Sequence, residues 1–130
     1  MTLQECINRV DNAKPNHYAT EDKVMWLSYL DGSIKKTVID THEHKGEDGL
    51  DIELPEFRPY SPDRLTDELL VPFPYDEMYV DYLKAKIDEE NGETARYNNT
   101  ASTFNMKLQE FTQAYHREHL PLSKNFQKYI

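Results

Sequence analysis

Two pairs of histidines have the residue types and spacing that come closest to a reactive site. His42 and His44 form an H-x-H motif in the segment Thr-His-Glu-His. Such a pair binds a metal when it lies at a strand end and further ligands are held nearby. Here the motif lies at the edge of a polar turn, and His17, His116 and His119 are far away in sequence. The sequence therefore predicts no metal site and no cofactor. A small metal-dependent hydrolase using His42 and His44 stands as one hypothesis.

A run of acidic residues is the second feature with possible chemistry. Asp88, Glu89, Glu90 and Glu93 flank the dipeptide Asn91-Gly92. Paired carboxylates act as general acid and base when burial or a neighbouring charge shifts their pKa values. Acids around an Asn-Gly turn are more typical of a solvated surface. We interpret all four as exposed turn residues.

The remaining patterns favour a chain that is not an enzyme. His116 and His119 stand three residues apart near the end of a predicted helix, where a positive charge complements the helix dipole. The sequence has no G-x-S-x-G motif, no Walker loop and no G-x-G-x-x-G motif. Its four glycines also leave little room for a loop that cradles phosphate.

Composition limits the classes of partner. The chain has 130 residues, which suits one domain, and its 15 basic and 24 acidic residues give a net charge of −9. Stable nucleic-acid binding needs clustered basic side chains, so we exclude it. The single Cys6 cannot form an internal disulfide. The first ten residues lack the apolar run of a secretory signal, and no stretch reaches the roughly 20 apolar residues that span a bilayer. We therefore expect a soluble chain that does not enter a membrane.

Residues 1–42 are predicted to form the N-terminal helices. Thr2 and Glu5 fit a capping box, and the first helix should end near Ala13 because Pro15 disfavours helix at the residue before it. Thr20 is the predicted N-cap of the second helix. That helix carries one apolar stripe, at spacings of three and four, formed by Val24, Leu27, Leu30, Ile34 and Val38.

Residues 43–74 read as an extended arm, because they hold five of the seven prolines and two glycines. Within the arm, residues 50–54 alternate strictly between apolar and acidic, which predicts a short strand. This strand could pair with residues 37–41 as a β-hairpin, an arrangement that competes with extension of the second helix. Both alternatives stand. The arm either orders against a neighbouring subunit or is a loose surface loop.

Residues 75–121 are predicted to form a helical hairpin. The third helix should begin near Tyr75, after Pro74, and end at Asn91-Gly92. The fourth helix has apolar residues at spacings of 4, 3, 4, 3 and 4, namely Tyr97, Ala101, Phe104, Leu108, Phe111 and Tyr115. The short connection between the two helices requires them to run antiparallel. Residues 122–130 form a C-terminal tail.

These elements predict a mainly α fold: a small bundle of about four helices, with a long Pro-rich loop or β-hairpin arm between the second and third main helices. Nine Tyr, five Phe and one Trp are rich aromatic material for a domain in which 30% of the residues are charged. Aromatic residues are enriched at subunit contacts. The candidate interface residues are Trp26, Tyr29, Ile52, Leu54, Phe57, Tyr60, Tyr75, Tyr79, Phe126, Tyr129 and Ile130.

Part of the sequence resembles a known family. The stretch ELLVPFPYDEMY from Glu68 is followed by YLKAKID from Tyr82, NGETARYNN from Asn91, and a long aromatic helix that ends in YHREHLP from Tyr115. This order of segments, over roughly residues 64–121, is similar to small structural proteins of tailed bacteriophages, and to their head–tail connector (adaptor) family in particular.

The resemblance implies a non-catalytic virion protein of the phage neck, present in the host cytoplasm during assembly. Copies would form a ring under the portal, twelve-fold if it matches the portal, and would contact the portal protein and tail or stopper proteins. DNA would pass through the ring without specific binding, and an acidic lumen would not retain it. Two alternatives remain: another neck role, such as a stopper or tail-completion protein, and an acidic soluble phage protein that binds a host protein.

Overall fold

The computed structural model describes residues 1–122, and the chain over this range is mainly helical. Its α-helices are α1 (Leu3–Ala13), α2 (Thr20–Ile34), α3 (Met78–Glu90) and α4 (Thr94–Glu118). A π-helical turn, Lys35–Ile39, continues α2, and a short 3₁₀ helix spans Pro62–Arg64. The predicted class, a bundle of about four helices, is confirmed. No described helix has the length and apolarity needed to cross a membrane.

The start of α1 follows the predicted capping pattern. The hydroxyl of Thr2 accepts a hydrogen bond from the backbone N–H of Glu5 at 3.1 Å, and the helix ends at Ala13 as predicted. The start of α2 differs by one residue, because Ala19 occupies the N-cap position and makes no side-chain cap. Thr20 is instead the first helical residue.

The predicted strand and β-hairpin are wrong. Residues 35–39 are helical, so they cannot pair with residues 50–54. Residues 45–51 form a turn that is closed by an isolated bridge between Lys45 and Asp51. No strand forms anywhere in residues 1–122. The apolar stripe of α2 explains the result: Ile34 and Val38 are buried as two further turns of the same helical surface, which favours continued helix over extension.

The central helix of the bundle is α3, which contacts α1, α2 and α4. It is buried on two faces: Tyr79, Leu83 and Ile87 are fully buried on one, and Met78 is fully buried on the other. The helix begins at Met78 rather than Tyr75, because residues 72–77 form turns first. Helices α1 and α2 contribute the following residues to the core: Leu3, Cys6, Ile7, Val10, Val24, Leu27, Leu30 and Ile34.

The predicted antiparallel hairpin of α3 and α4 is confirmed. The backbone N–H of Asn91 bonds to the carbonyl of Ile87, and Gly92 adopts φ +72°, a conformation that glycine tolerates best. The stripe of α4 faces α3, with Phe104 and Phe111 buried and the ring centroid of Phe104 5.1 Å from that of Tyr82.

A buried carboxylate joins the connecting segment, residues 40–77, to the helices. Asp31 of α2 is completely buried, and its Oδ1 accepts a hydrogen bond from the Tyr79 hydroxyl of α3 at 2.6 Å. Its Oδ2 accepts from the backbone N–H of Leu70 at 3.0 Å and from the Tyr60 hydroxyl. Burial raises the pKa of Asp31, while these three donors act to lower it. Three distant parts of the chain therefore converge on one side chain.

We expect the substitution Asp31→Ala to destabilise the fold by about 3 kcal/mol, because one buried and two partly buried donors would lose their acceptor and a small cavity would form. Urea unfolding followed by circular dichroism measures the change. Asp51→Ala is the control, since Asp51 is exposed and its ion pair with Lys45 lies on the surface. Equal unfolding midpoints for the two variants would show that the Asp31 bonds do not contribute to stability.

Candidate functional site

The fold brings the two histidine pairs together. Residues 120–122 run antiparallel to residues 41–43: the N–H of Glu43 bonds to the carbonyl of Leu120 at 2.6 Å, and the N–H of Leu122 bonds to the carbonyl of Thr41 at 3.1 Å. This pairing fixes the end of α4 beside the H-x-H motif. His42, His44, His116 and His119 thus surround Tyr115, and we call these five residues the histidine–tyrosine cluster.

A hydrogen bond to the backbone fixes which ring nitrogen of His42 carries a proton. Its Nδ1 lies 2.6 Å from the carbonyl oxygen of Val38, which only accepts, so Nδ1 carries the proton. The other nitrogen, Nε2, lies within hydrogen-bond distance of His116 Nδ1, at 3.3 Å. His42 is buried, whereas His116 is exposed. The pair connects the end of the π-helical turn to α4.

Tyr115 holds the centre of the cluster. Its ring stacks on His119 with a centroid separation of 4.0 Å and an interplanar angle of 14°, and it meets His42 edge-on at 5.2 Å. The Tyr115 hydroxyl hydrogen bonds to His44 Nε2. Burial, with a smaller effect from Asp40, raises the pKa of Tyr115, so the hydroxyl stays protonated and donates to His44.

The cluster connects the segment after the π-helical turn to the end of α4. Within residues 1–122, no group of three or more His, Cys, Asp or Glu side chains is positioned to hold a metal ion. Desolvation lowers the pKa of His44, and the neighbouring His119 lowers it further. Neutral His44 can therefore accept from Tyr115 at pH 7. A cavity of about 380 Å³ adjoins the cluster and is lined mainly by apolar residues, including Leu54, Leu70 and Phe111.

The acidic turn differs from the prediction at two residues, because Asp88 is buried and Glu93 is partly buried. Asp88 is buried rather than solvated: its Oδ1 lies 2.5 Å from the Lys14 ammonium, and its Oδ2 accepts from the Thr100 hydroxyl at 2.9 Å. Burial acts to raise the pKa of Asp88, but Lys14 and Thr100 outweigh it and the pKa is lowered. Glu89 and Glu90 are exposed, as predicted. Asp88 therefore joins α3 to the end of α1 and the start of α4.

An open apolar groove of about 820 Å³ lies along α2. One wall is formed by α2 and its π-helical continuation, from Glu21 to Thr37, and the other by Phe57, Pro59 and Tyr60 of the connecting segment. The N–H of Tyr60 bonds to the Ser28 hydroxyl at 2.8 Å, which holds the second wall against α2. We call this feature the α2 groove. Its volume exceeds the roughly 380 Å³ of the cavity that adjoins the histidine–tyrosine cluster.

The structure places the predicted interface residues in different environments. Tyr79 is fully buried and belongs to the core, and Trp26 is also buried, with Tyr18 at its edge and the Lys86 ammonium 5.6 Å above its ring. These two are therefore removed from the predicted interface, because partners within the chain cover them. Tyr29 is 72% exposed and Ile52 51% exposed. Leu54, Phe57, Tyr60 and Tyr75 are half-buried, and Phe126, Tyr129 and Ile130 lie outside the described residues.

The sequence did not predict three features of the structure. They are the clustering of the four histidines, the α2 groove, and the exposure of Phe73, whose side chain is 84% exposed. The only sequence signal for the cluster was the presence of two histidine pairs. Their pairing partners lie more than 70 residues apart, so no local pattern shows them.

Comparison with protein-family models, with curated proteins and with solved structures found no match for this chain. The resemblance to phage connector proteins therefore stays a prediction.

We expect the fold to lose stability as the pH falls below about 6.5, the ordinary pKa of histidine. The pKa of His44 is lowered in the folded chain, so the unfolded chain binds its proton first, and acid favours unfolding. His119, Lys35 and His42 also oppose the charge on His44, whereas Asp40 favours it. Urea midpoints at pH 7.5 and pH 5.5 measure the effect.

The variant His44→Gln should lose less stability than the wild type over this pH interval. The matched control is His17→Gln, since His17 lies on the surface, stacked on Tyr18, and outside the cluster. A His44→Gln chain with the same pH dependence as the wild type would show that His44 does not govern the response.

Proposed function

We propose that this chain is a non-enzymatic structural subunit that assembles with copies of itself, in the neck of a tailed bacteriophage. The observation that carries the self-assembly is a set of exposed large apolar side chains on the connecting segment. Leu50 is 67% exposed, Ile52 is 51% exposed and Phe73 is 84% exposed.

These side chains differ from ordinary surface residues because they lie on one segment that the helices leave partly uncovered. Burying such a side chain contributes roughly 1.5–3 kcal/mol, so three of them supply a useful part of a subunit contact. Groups of exposed apolar residues mark contact surfaces more often than single ones do. A second copy of the chain is the proposed occupant.

A closed ring is the proposed form of the assembly. Head-to-tail contacts between identical subunits generate a ring when the rotation between neighbours closes. Twelve copies would match a portal, and the portal protein and tail or stopper proteins would be the neighbours. The sequence resemblance supports this setting. The net charge of −9 supports passage of DNA without binding, since acidic groups repel phosphate.

The same charge favours a second candidate function, an acidic soluble phage protein that binds a basic host protein. A pull-down from host lysate separates the two. One stoichiometric host partner, together with absence from purified virions, would favour the second candidate. A stopper or tail-completion protein would use the same self-assembly or portal contact, but this chain would then occupy a different position in the neck.

We expect the double substitution Ile52→Glu and Phe73→Glu to weaken assembly at least tenfold, because two apolar contacts would be replaced by charges that must be desolvated. Mass photometry and electron microscopy, with and without portal protein, measure ring formation. Glu53→Gln is the control, since Glu53 is an exposed neighbour of Ile52 that is not apolar. A wild-type chain that stays monomeric with the portal present and never enters particles would overturn the proposal.

A further inference from the structure

We propose that the α2 groove of one copy receives residues 45–53 of a second copy. We call residues 45–53 the projecting turn. The contact rests on the self-assembly proposed above and names the two surfaces that meet. Four observations carry it: an ordered turn with exposed apolar side chains, a matching spacing in the groove, complementary charge, and the separation of the two surfaces on one molecule.

The projecting turn presents two apolar side chains on an ordered backbone. Leu50 and Ile52 are both exposed, on either side of Asp51. The N–H of Gly46 bonds to the carbonyl of Leu50 at 2.8 Å, and the N–H of Ile52 bonds to the carbonyl of His44 at 2.9 Å. Because these bonds already order the turn, it loses less conformational entropy when it binds a partner.

The spacing of apolar side chains is similar on the two surfaces. Leu50 and Ile52 flank the bridge residue Asp51. In extended backbone, side chains two residues apart lie on the same side, about 7 Å from each other. Met25 and Tyr29 of the groove wall are exposed and stand one helical turn apart, about 6 Å along α2. Each apolar side chain of the turn can therefore contact one of the groove.

Charge complementarity identifies a second copy as the occupant. The projecting turn has one basic residue and four acidic residues, Glu47, Asp48, Asp51 and Glu53. Lys36 lines the groove, is exposed, and forms no ion pair within residues 1–122. Glu21, the acidic residue of the groove, lies at the opposite end of α2. Since the net charge of −9 makes most surfaces of two copies repel, a contact that brings these acids to Lys36 is favoured over other orientations.

The two surfaces are separate on one molecule. No residue of the projecting turn lines the groove of its own copy. A copy whose turn is bound by one neighbour therefore keeps a free groove for another neighbour. Such a head-to-tail contact can be repeated from copy to copy, and it generates a ring when the rotation between neighbours closes.

Two variants, each with one surface removed, test the contact in the full chain. The groove variant carries Met25→Glu and Tyr29→Glu, and the turn variant carries Leu50→Glu and Ile52→Glu. Each variant alone should associate about tenfold or more weakly than the wild type, because apolar contacts are replaced by charges that must lose water. An equal mixture should form pairs with one copy of each variant, since the turn of the first and the groove of the second remain intact. Sedimentation velocity over a range of concentrations, with and without portal protein, measures these species.

Matched controls lie outside both surfaces. Met106→Glu replaces a helical methionine that is 54% exposed, compared with 46% for Met25. Leu120→Glu replaces a leucine that is 69% exposed, compared with 67% for Leu50. Both controls should associate as the wild type does. Circular dichroism and urea midpoints verify that all variants fold, which we expect because every substituted side chain is exposed.

A third variant tests the role of charge. Lys36→Glu should weaken association several-fold at low salt and less at high salt, because salt screens the repulsion between the new carboxylate and the acids of the turn. Arg117→Glu is the control, since Arg117 is an exposed cation of α4 that does not line the groove.

The results separate this contact from the proposed self-assembly. Weak association of each variant alone, together with pairs in the mixture, supports the contact. If the wild type assembles and the groove or turn variant assembles equally well, the contact is wrong and another surface carries the assembly. A mixture that stays monomeric, or a groove variant that loses only portal binding, would also overturn it. A wild-type chain that never associates would overturn both proposals.

Discussion

The buried carboxylate of Asp31 is the constraint on which the arrangement of the chain depends. A charged group in an apolar interior is unfavourable unless its hydrogen bonds are satisfied, so the three donors around it must arrive together. They come from α3, through Tyr79, and from two places in the connecting segment, through Tyr60 and Leu70. One side chain thus determines how α2, α3 and a proline-rich segment are placed relative to one another.

The Asp31 bonds also explain why the α2 groove exists. They hold Tyr60 beside α2, and the Tyr60 N–H bond to Ser28 keeps the neighbouring backbone at a short distance from the helix. The second groove wall therefore stands beside α2 without filling the space above Met25 and Tyr29. Gly32 also lines the groove, beside the Phe57 ring. Groove and core are two consequences of the same set of bonds.

The histidine–tyrosine cluster has a related structural role beyond the C-terminal end of α2. It joins the π-helical turn to the last turns of α4, and the backbone bonds of residues 41–43 with 120–122 lie beside it. The position of the cluster sets the point from which the chain continues past Leu122. The lowered pKa of His44 and the raised pKa of Tyr115 keep the hydrogen bond between them at neutral pH, so the stability of this contact depends on proton concentration.

The sequence by itself determined the helices and their approximate limits. Apolar spacing, a capping threonine before α1 and the Asn91-Gly92 turn are local signals, and each acts within a few residues along the chain. The antiparallel hairpin of α3 and α4 follows from its short connection in the same way. Residues 50–54 misled the prediction because alternation over five residues indicates a strand only when a partner strand is free to pair, and residues 35–39 continue a helix instead.

Only the tertiary structure decided which polar and aromatic residues meet. The partners of Asp31 lie 29, 39 and 48 residues away, and His42 and His116 are separated by 74 residues. The burial of Tyr79, Trp26 and Asp88, and the exposure of Tyr29, likewise follow from the packing of distant elements. Local patterns arise from the geometry of one helix, whereas these contacts arise from how several helices fill the same space, and that information is distributed over the whole chain.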